Sequence, residues 1–301
     1  MTIKNKSTRT FGVEIEFKSS NRLSTIERKL NEAFVAINQT RDVNNPISVF
    51  YESYNHHTRN HWKLITDSSC GYELVSPVLK GQEGMNDLAI VISALESIPT
   101  VKVNKSCGIH VHVGIKDATP KKVANLVKYY AKNEPMIDAV MPRSRRSNNN
   151  MYCKPVMSYN KPTVKRLNKI VKDNAENACD STINKIANFL GNRYNKINLH
   201  AFRRYRTVEF RQHSGSVDPK KITTWVAFCL NTVDKVFKMK AIQFDAPVTG
   251  DSIAKFQNAF IDVFGVKQNR KIMKHFESRA LHFGFNIFAG SFDKGAALRR
   301  F

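Results

Sequence analysis

Strict alternation of apolar and polar residues marks three segments of this chain as strands with one apolar face. Residues 11–17 read FGVEIEF, residues 107–113 read CGIHVHV and residues 207–213 read TVEFRQH. Side chains at positions i and i+2 of a strand share a face, so aliphatic residues gather on one side of each segment and ionisable residues on the other. A fourth segment, 72–76, reads YELVS and carries Glu73 between apolar neighbours.

Apolar positions three and four residues apart predict helices between the strands. These helices cover about 22–37, 84–98, 121–139, 163–172, 176–190, 218–239, 251–264 and 267–282. Further strands are predicted at 47–51, 61–66 and 100–103, and a strand pair at 197–203 and 206–213. Residues 141–162 show no period and are predicted to form a long loop. The pattern favours one α+β domain over 1–301, with 141–195 as a basic loop and helical insertion and 240–301 as a helical C-terminal extension.

The polar faces of the strands carry an unusual concentration of ionisable groups. By strand, they are Glu14 and Glu16, Glu73, His110 and His112, and Glu209, Arg211 and His213. If the strands pair in one sheet, carboxylates this close repel one another unless a cation neutralises them or their pKa values separate. Acidic, oxygen-rich sites suit Mg²⁺ or Mn²⁺, and histidine is a suitable ligand for Mn²⁺. An ordinary solvated face explains any one segment alone, whereas the repeated Glu-x-Glu and His-x-His pairs favour a metal site.

Zinc is the competing metal, because Cys107 precedes His110 and His112. By the alternation of the strand, Cys107 lies outside the face that carries the two histidines. Structural zinc sites use paired cysteines or a more widely spaced histidine pair. The spacing therefore disfavours structural zinc in this motif.

Composition adds a strong positive charge to this picture. The 301 residues carry 48 Lys+Arg against 25 Asp+Glu, a formal net charge of +23. Such an excess attracts nucleic acid, nucleotide phosphates or acidic partners without selecting among them. Hydrophobic residues at 42% supply a packed core, and no apolar run approaches the ~18 residues of a membrane span. Five scattered cysteines favour free thiols in a reducing compartment, so we expect a cytoplasmic protein, and the Lys, Asn and Ile bias is compatible with a phage gene.

Four motifs in order resemble the amidoligase family, carboxylate–amine ligases that share a catalytic fold with glutamine synthetase and glutamate–cysteine ligase. The motifs are EIEF at 14–17, GYELVSP at 71–77, CGIHVHV at 107–113 and TVEFRQH at 207–213, and Trp225 follows them. The resemblance spans roughly residues 10–230. It implies a curved, mainly antiparallel sheet with helices on one face, as in glutamine synthetase, and a concave face that holds divalent metals.

The resemblance also implies a reaction and roles for individual residues. The implied enzyme uses ATP and Mg²⁺ (or Mn²⁺) to activate a carboxylate, such as a peptide or protein Glu or Asp, as an acyl phosphate. An amine then forms an amide or isopeptide bond. The implied metal ligands are Glu14, Glu16, Glu73 and Glu209; the catalytic residues are Arg211, His112 and Glu209; the nucleotide-binding residues are His110, His112, Arg211 and the basic group Arg143, Arg145 and Arg146. Residues 141–162 are the candidate lid over the acyl phosphate.

Two other classes of function remain open from the sequence. The net charge of +23 and the acidic residues would also suit a nucleic-acid-binding protein or a metal-dependent phosphodiesterase. A non-catalytic phage or structural protein could retain the sheet and use its basic exterior. We rank the ligase first because no basic helix with interleaved aromatic residues is evident.

Overall fold

Strands and helices alternate along the chain, and the computed structural model describes them for residues 4–42, 45–147, 149–176, 178–244, 269–286 and 291–292. The strands in these ranges are β1 (Thr10–Phe17), β2 (Val49–Tyr51), β3 (Trp62–Asp67), β4 (Gly71–Val75), β5 (Leu79–Lys80), β6 (Gly108–Gly114), β7 (Ile197–Asn198), β8 (Thr207–Ser214), β9 (Phe285–Asn286) and β10 (Ser291–Phe292). The helices are α1 (Leu23–Asn38), α2 (Gly81–Glu96), α3 (Pro120–Ala139), α4 (Lys161–Asp173), α5 (Cys179–Leu190), α6 (Ala201–Tyr205), α7 (Pro219–Val236) and α8 (Asn269–His282). The predicted α+β class is confirmed.

The chain divides into two compact units, each built from two separate stretches of sequence. The first unit comprises Met1–Val113 and His213–Ala227, and the second comprises Gly114–Gln212 and Phe228–Phe301. The single domain predicted for 1–301 stays a prediction, as does the glutamine-synthetase-like form of the fold.

In the first unit, β1 is an inner strand of an open sheet with the order β2-β3-β4-β1-β6. It pairs antiparallel with β4 on one side and with β6 on the other, while β2 and β3 run parallel. The register places Glu16 opposite Glu73 and Glu14 opposite His110. A mostly antiparallel sheet is thus confirmed, and it brings three of the four motifs side by side.

Helices α1 and α2 supply much of the apolar core of the first unit. Helix α1 contacts β2, β3 and α2, and α2 also contacts β5. The buried side chains of α1, at three- and four-residue spacing, are Leu23, Ile26, Leu30 and Phe34. The apolar residues of β1, Val13, Ile15 and Phe17, are likewise buried. Each large apolar side chain removed from water contributes about 1.5–3 kcal/mol to the stability of the fold. Packing therefore buries the apolar faces of both α1 and β1.

The second unit is mainly helical, with α3, α4 and α5 packed against one another. Helix α3 begins at Pro120, and the side chain of Thr119 caps it by accepting a hydrogen bond from the Lys122 N–H. Strand β7 pairs antiparallel with β8, with Asn198 opposite Glu209. The two helices predicted at 163–172 and 176–190 are therefore confirmed as α4 and α5.

The strand predicted at 197–203 is wrong beyond its second residue. The Asn198 side chain accepts a hydrogen bond from the His200 N–H at 2.8 Å, and residues 201–205 then form the short helix α6. Arg206 ends this helix in the left-handed region, with φ of 56°, and the chain enters β8 directly. The side-chain turn at Asn198 competes with strand pairing and ends β7.

One further strand prediction needs correction, one loop prediction is confirmed, and one helix prediction falls outside the described residues. At 100–103 there is no full strand, only a bridge between Lys102 and Lys18. The loop predicted at 141–162 is confirmed in its described residues as far as α4, which begins at Lys161. It contains one 3-10 turn at Arg143–Arg145 and a bridge between Lys154 and Asn195. The helix predicted at 251–264 lies outside the described residues.

A buried charge network in the second unit joins α3 to Lys196, the residue before β7. Lys196 is fully buried, and its Nζ lies 2.7 Å from Glu134 Oε1 and 2.7 Å from Asp138 Oδ1. The Gln212 side chain also donates to Asp138 and accepts from the Tyr130 hydroxyl. The ammonium therefore neutralises two carboxylates that have little access to water.

We expect Lys196→Met to lower the free energy of unfolding by about 3–5 kcal/mol, because the two carboxylates would be left buried without their cation. Denaturant unfolding of the full chain measures this loss. The matched control is Lys172→Met on the exposed side of α4, for which we expect a change within about 0.5 kcal/mol. Equal effects of the two variants would contradict the assignment.

Candidate functional site

The first unit gathers ionisable side chains on one face of β1, β4 and β6, which we call the acid face. Its members are Glu14, Glu16, Glu73, His110 and His112. Single ligand atoms of Glu16, Glu73 and His110 all lie within 4.8 Å of one another. Glu16 is 6% exposed, Glu73 9% and His110 4%, so this group is withdrawn from solvent. Three predicted site residues from three distant motifs thus converge.

Glu14 is held by both histidines of β6. His110 Nδ1 lies 3.0 Å from Glu14 Oε2, and His112 Nε2 lies 3.3 Å from Glu14 Oε1. Burial raises the pKa of Glu14, but the hydrogen bonds with His110 and His112 outweigh burial and hold that pKa well below its usual value. Glu14 is therefore a carboxylate at neutral pH, and it orients both imidazole rings.

Glu16 links the acid face to the start of β6. The Gly108 N–H donates a hydrogen bond to Glu16 Oε2, and His110 Nε2 lies 3.6 Å from Glu16 Oε1. His110 consequently has one ring nitrogen beside Glu14 and the other beside Glu16. A ring with this placement can turn one nitrogen toward a metal while the other stays hydrogen-bonded.

Lys63 on β3 is a member of this environment that sequence reasoning missed. It is only 4% exposed, and its Nζ donates to the carbonyl oxygens of Asn55, at 2.9 Å, and His57, at 3.2 Å. Burial lowers the pKa of Lys63, while the charges of Glu52, Glu73 and Glu14 oppose that shift. No pattern in HWKLIT signals this burial; in the sheet, Lys63 pairs with Val75, two residues from Glu73 in β4.

The predicted residues of the fourth motif form their own cluster in the second unit. Arg211 Nη1 is hydrogen-bonded to Glu209 Oε1, and the Asn198 side chain donates to Glu209 Oε2 at 2.6 Å. Glu209 is 4% exposed, and both of its oxygens accept hydrogen bonds. Asn198, which the sequence analysis did not single out, therefore fixes the carboxylate that in turn fixes Arg211.

The three arginines of the basic segment have three different environments. Arg143 is exposed, Arg145 is 2% exposed, and Arg146 is half-buried. Arg146 donates to the carbonyl oxygens of Met141, at 2.7 Å, and Phe283, at 2.9 Å, and burial lowers its pKa to about 10. These contacts argue against a mobile cover built on Arg145 and Arg146, whereas a phosphate contact by the exposed Arg143 stays a prediction.

Comparison with known proteins shows the family. Residues 7–233 match the family described as "putative amidoligase enzyme", and the chain belongs to it. The resemblance inferred from the four motifs is confirmed. Membership supports an amide-bond-forming ligase in general, a class that joins a carboxylate to an amine with ATP and a divalent metal.

Other comparisons are distant. Among curated proteins, none matches this sequence. The solved structure of a bifunctional glutathione synthetase from Pasteurella multocida is similar with a TM-score of 0.40 and 10% identity, covering 96% of this chain. The chain spans about half the length of that protein, 49%. Within the described residues, no helix combines the length and apolar character needed to cross a bilayer.

The depressed pKa of Glu14 predicts a specific pH dependence of stability. A carboxylate whose pKa is lower in the folded chain stabilises that state above its ordinary value of 4.5, and this contribution disappears as the pH falls through the folded value. We expect the free energy of unfolding of the native chain to fall more steeply below pH 4.5 than that of Glu14→Gln. Denaturant unfolding over a pH series measures both slopes, and parallel curves would contradict the assignment.

Proposed function

We propose that this chain is an ATP- and Mg²⁺-dependent carboxylate–amine ligase that works through an acyl phosphate. The observation that supports the proposal most directly is the buried group of Glu16, Glu73 and His110, with ligand atoms within 4.8 Å of one another. Family membership supports the general class of reaction.

The acid face fits a divalent cation by charge and by ligand type. The carboxylates of Glu14, Glu16 and Glu73 concentrate negative charge on this face, and the charge of Lys63 opposes part of it. Buried charges of one sign are costly unless a counter-charge is present. Carboxylate oxygens with an imidazole nitrogen suit Mn²⁺, and the carboxylates alone suit Mg²⁺. We assign Glu16, Glu73 and His110 as the residues that would hold the cation.

When bound, such a cation neutralises phosphate oxygens and so favours transfer of the phosphoryl group. Glu14 contributes by holding His110 and His112 in fixed orientations through its two oxygens. We assign His112 to the nucleotide phosphates. Lys63 offsets part of the negative charge on the same face and anchors the 55–57 loop through its carbonyl oxygens.

The proposed reaction has two displacement steps. A carboxylate oxygen of the substrate attacks the γ-phosphorus of ATP and ADP leaves, which gives the acyl phosphate. The amine nitrogen then attacks the acyl carbon, loses a proton and displaces phosphate to give the amide. We assign Arg211 to the charge on the transferring phosphoryl group, with Glu209 and Asn198 fixing its guanidinium.

We expect the chain to bind Mn²⁺ through the acid face. Glu73→Gln should weaken this binding at least about tenfold, since it removes a charged ligand while keeping the size of the side chain. Titration of free Mn²⁺ by electron paramagnetic resonance measures the affinity. Glu96→Gln on the exposed side of α2 is the matched control and should bind like the native chain. Unchanged binding by Glu73→Gln would remove Glu73 from the proposed ligands.

We expect ligase activity to be detectable with hydroxylamine as a general amine, because it converts acyl phosphates into coloured hydroxamates. The assay supplies ATP, Mg²⁺ and a panel of amino acids and glutamate-containing peptides, and it measures ADP and hydroxamate together. For a substrate that reacts, Arg211→Met should lower kcat by about 10²–10³. The matched control, Arg204→Met at an exposed position of α6, should retain activity.

Two results of this assay would contradict the proposal, one for the ligase reaction and one for the role of Arg211. No hydroxamate with any member of the panel, together with Mg²⁺-dependent cleavage of DNA or RNA, would favour the phosphodiesterase. Full activity of Arg211→Met would leave the reaction in place but remove Arg211 from it.

A further inference from the structure

Two cysteines that lie far apart in the sequence meet beside the end of β1. Cys70 lies in the turn between β3 and β4, and Cys107 immediately precedes β6. Their exposures are 1% and 0%, and their thiols donate hydrogen bonds to the Tyr72 carbonyl oxygen and to Asn104 Oδ1. The two are close enough that Cys107 raises the pKa of the Cys70 thiol. Both belong to the first unit, so this pair is a property of that unit alone.

Two carboxylates adjoin the thiols. Single ligand atoms of Glu16, Asp67 and Cys70 lie within 4.8 Å of one another. Glu16 is connected to the Cys107 side as well, because it accepts a hydrogen bond from the N–H of Gly108, the next residue. Ligand atoms of one thiol and two carboxylates therefore converge, and the second thiol, of Cys107, adjoins them through Cys70.

Hydrogen bonds within the turn hold Asp67 and Cys70 in fixed positions. Asp67 Oδ1 accepts hydrogen bonds from the N–H groups of Ser69, at 2.7 Å, and Cys70, at 2.9 Å. These bonds fix the carboxylate and the following thiol relative to each other. A carboxylate can bind a metal through one oxygen while the other stays hydrogen-bonded.

The ligand types select the class of metal. Thiolates favour zinc and other soft or borderline ions, and disfavour Mg²⁺ and Ca²⁺, which take oxygen ligands. Zinc sites are almost always tetrahedral and combine cysteine sulfur with histidine or carboxylate ligands. The set differs from the Cys107-x-x-His110 motif considered in the sequence, because the second sulfur comes from Cys70 and the histidines belong to the acid face.

We propose that Cys70, Asp67 and Glu16, with the adjoining Cys107, form a zinc-type metal site that shares only Glu16 with the acid face. Binding releases the thiol protons to solvent and joins the turn at 67–71 to the start of β6. Because β4 follows that turn directly, the metal would fix the entry of two strands that carry Glu73 and His110. The inference does not rest on the proposed ligase activity.

Cobalt substitution tests the site, since Co²⁺ occupies zinc sites and reports thiolate ligands by a charge-transfer band in the near ultraviolet. We expect the reduced, metal-free full chain to bind one Co²⁺ at this site, with that band, and Zn²⁺ to abolish the band by displacement. Cys70→Ser and Cys107→Ser should each lose most of the band. Cys179→Ser, at the exposed cysteine of α5, is the matched control and should keep it.

Two more variants separate this site from the acid face and from loss of folding. Asp67→Asn keeps Oδ1 as the acceptor of the turn but removes the charge, so it should weaken Co²⁺ binding at least about tenfold with an unchanged circular dichroism spectrum. Glu73→Gln should leave the band intact. The proposal is overturned if the native chain shows no thiolate band, or if the band survives in both Cys70→Ser and Cys107→Ser.

Discussion

Repulsion among carboxylates on one face of β1 is the constraint on which the rest of the first unit depends. Glu14 and Glu16 are two residues apart, and Glu16 stands opposite Glu73. Two like charges about 4 Å apart in a partly shielded site cost about 4 kcal/mol. This repulsion destabilises the folded state, in which the strands are paired, unless hydrogen-bonding or positively charged groups lie beside the carboxylates. The histidines of β6 and the ammonium of Lys63 are those groups.

The backbone of the acid face was predictable because its sequence signals are local. Alternation in EIEF, YELVS and GIHVHV sets which side chains share a face, so the ionisable faces coincide once β1 pairs with β4 and β6. Lys63 was not predictable in the same way. A lysine in a strand is ordinarily solvated, and its burial depends on the carbonyl oxygens of Asn55 and His57, whose positions no pattern in the loop reveals.

In the basic segment at 143–146, the composition did not predict which arginines are exposed. Its composition indicated a set of arginines available to phosphate, but exposure is decided by contacts remote in sequence. Arg146 donates to the carbonyl oxygen of Phe283, just beyond α8, and Arg145 is buried. Likewise, α6 replaced a predicted strand because the Asn198 side chain offered the His200 N–H a local partner. In both cases a polar side chain bonded to the main chain overrode what composition or period favoured.

Glu16 connects the two metal proposals physically, and this connection has a consequence for how they would behave together. Its carboxylate belongs to the group with Glu73 and His110 and also to the group with Asp67 and Cys70. Two divalent cations that share one carboxylate repel each other, and each competes for the same negative charge. Occupancy of one site would then weaken the other, by the same factor in both directions. Since thiolates reject Mg²⁺ whereas carboxylates accept it, the ligand types would still keep the two sites selective for different cations despite this coupling.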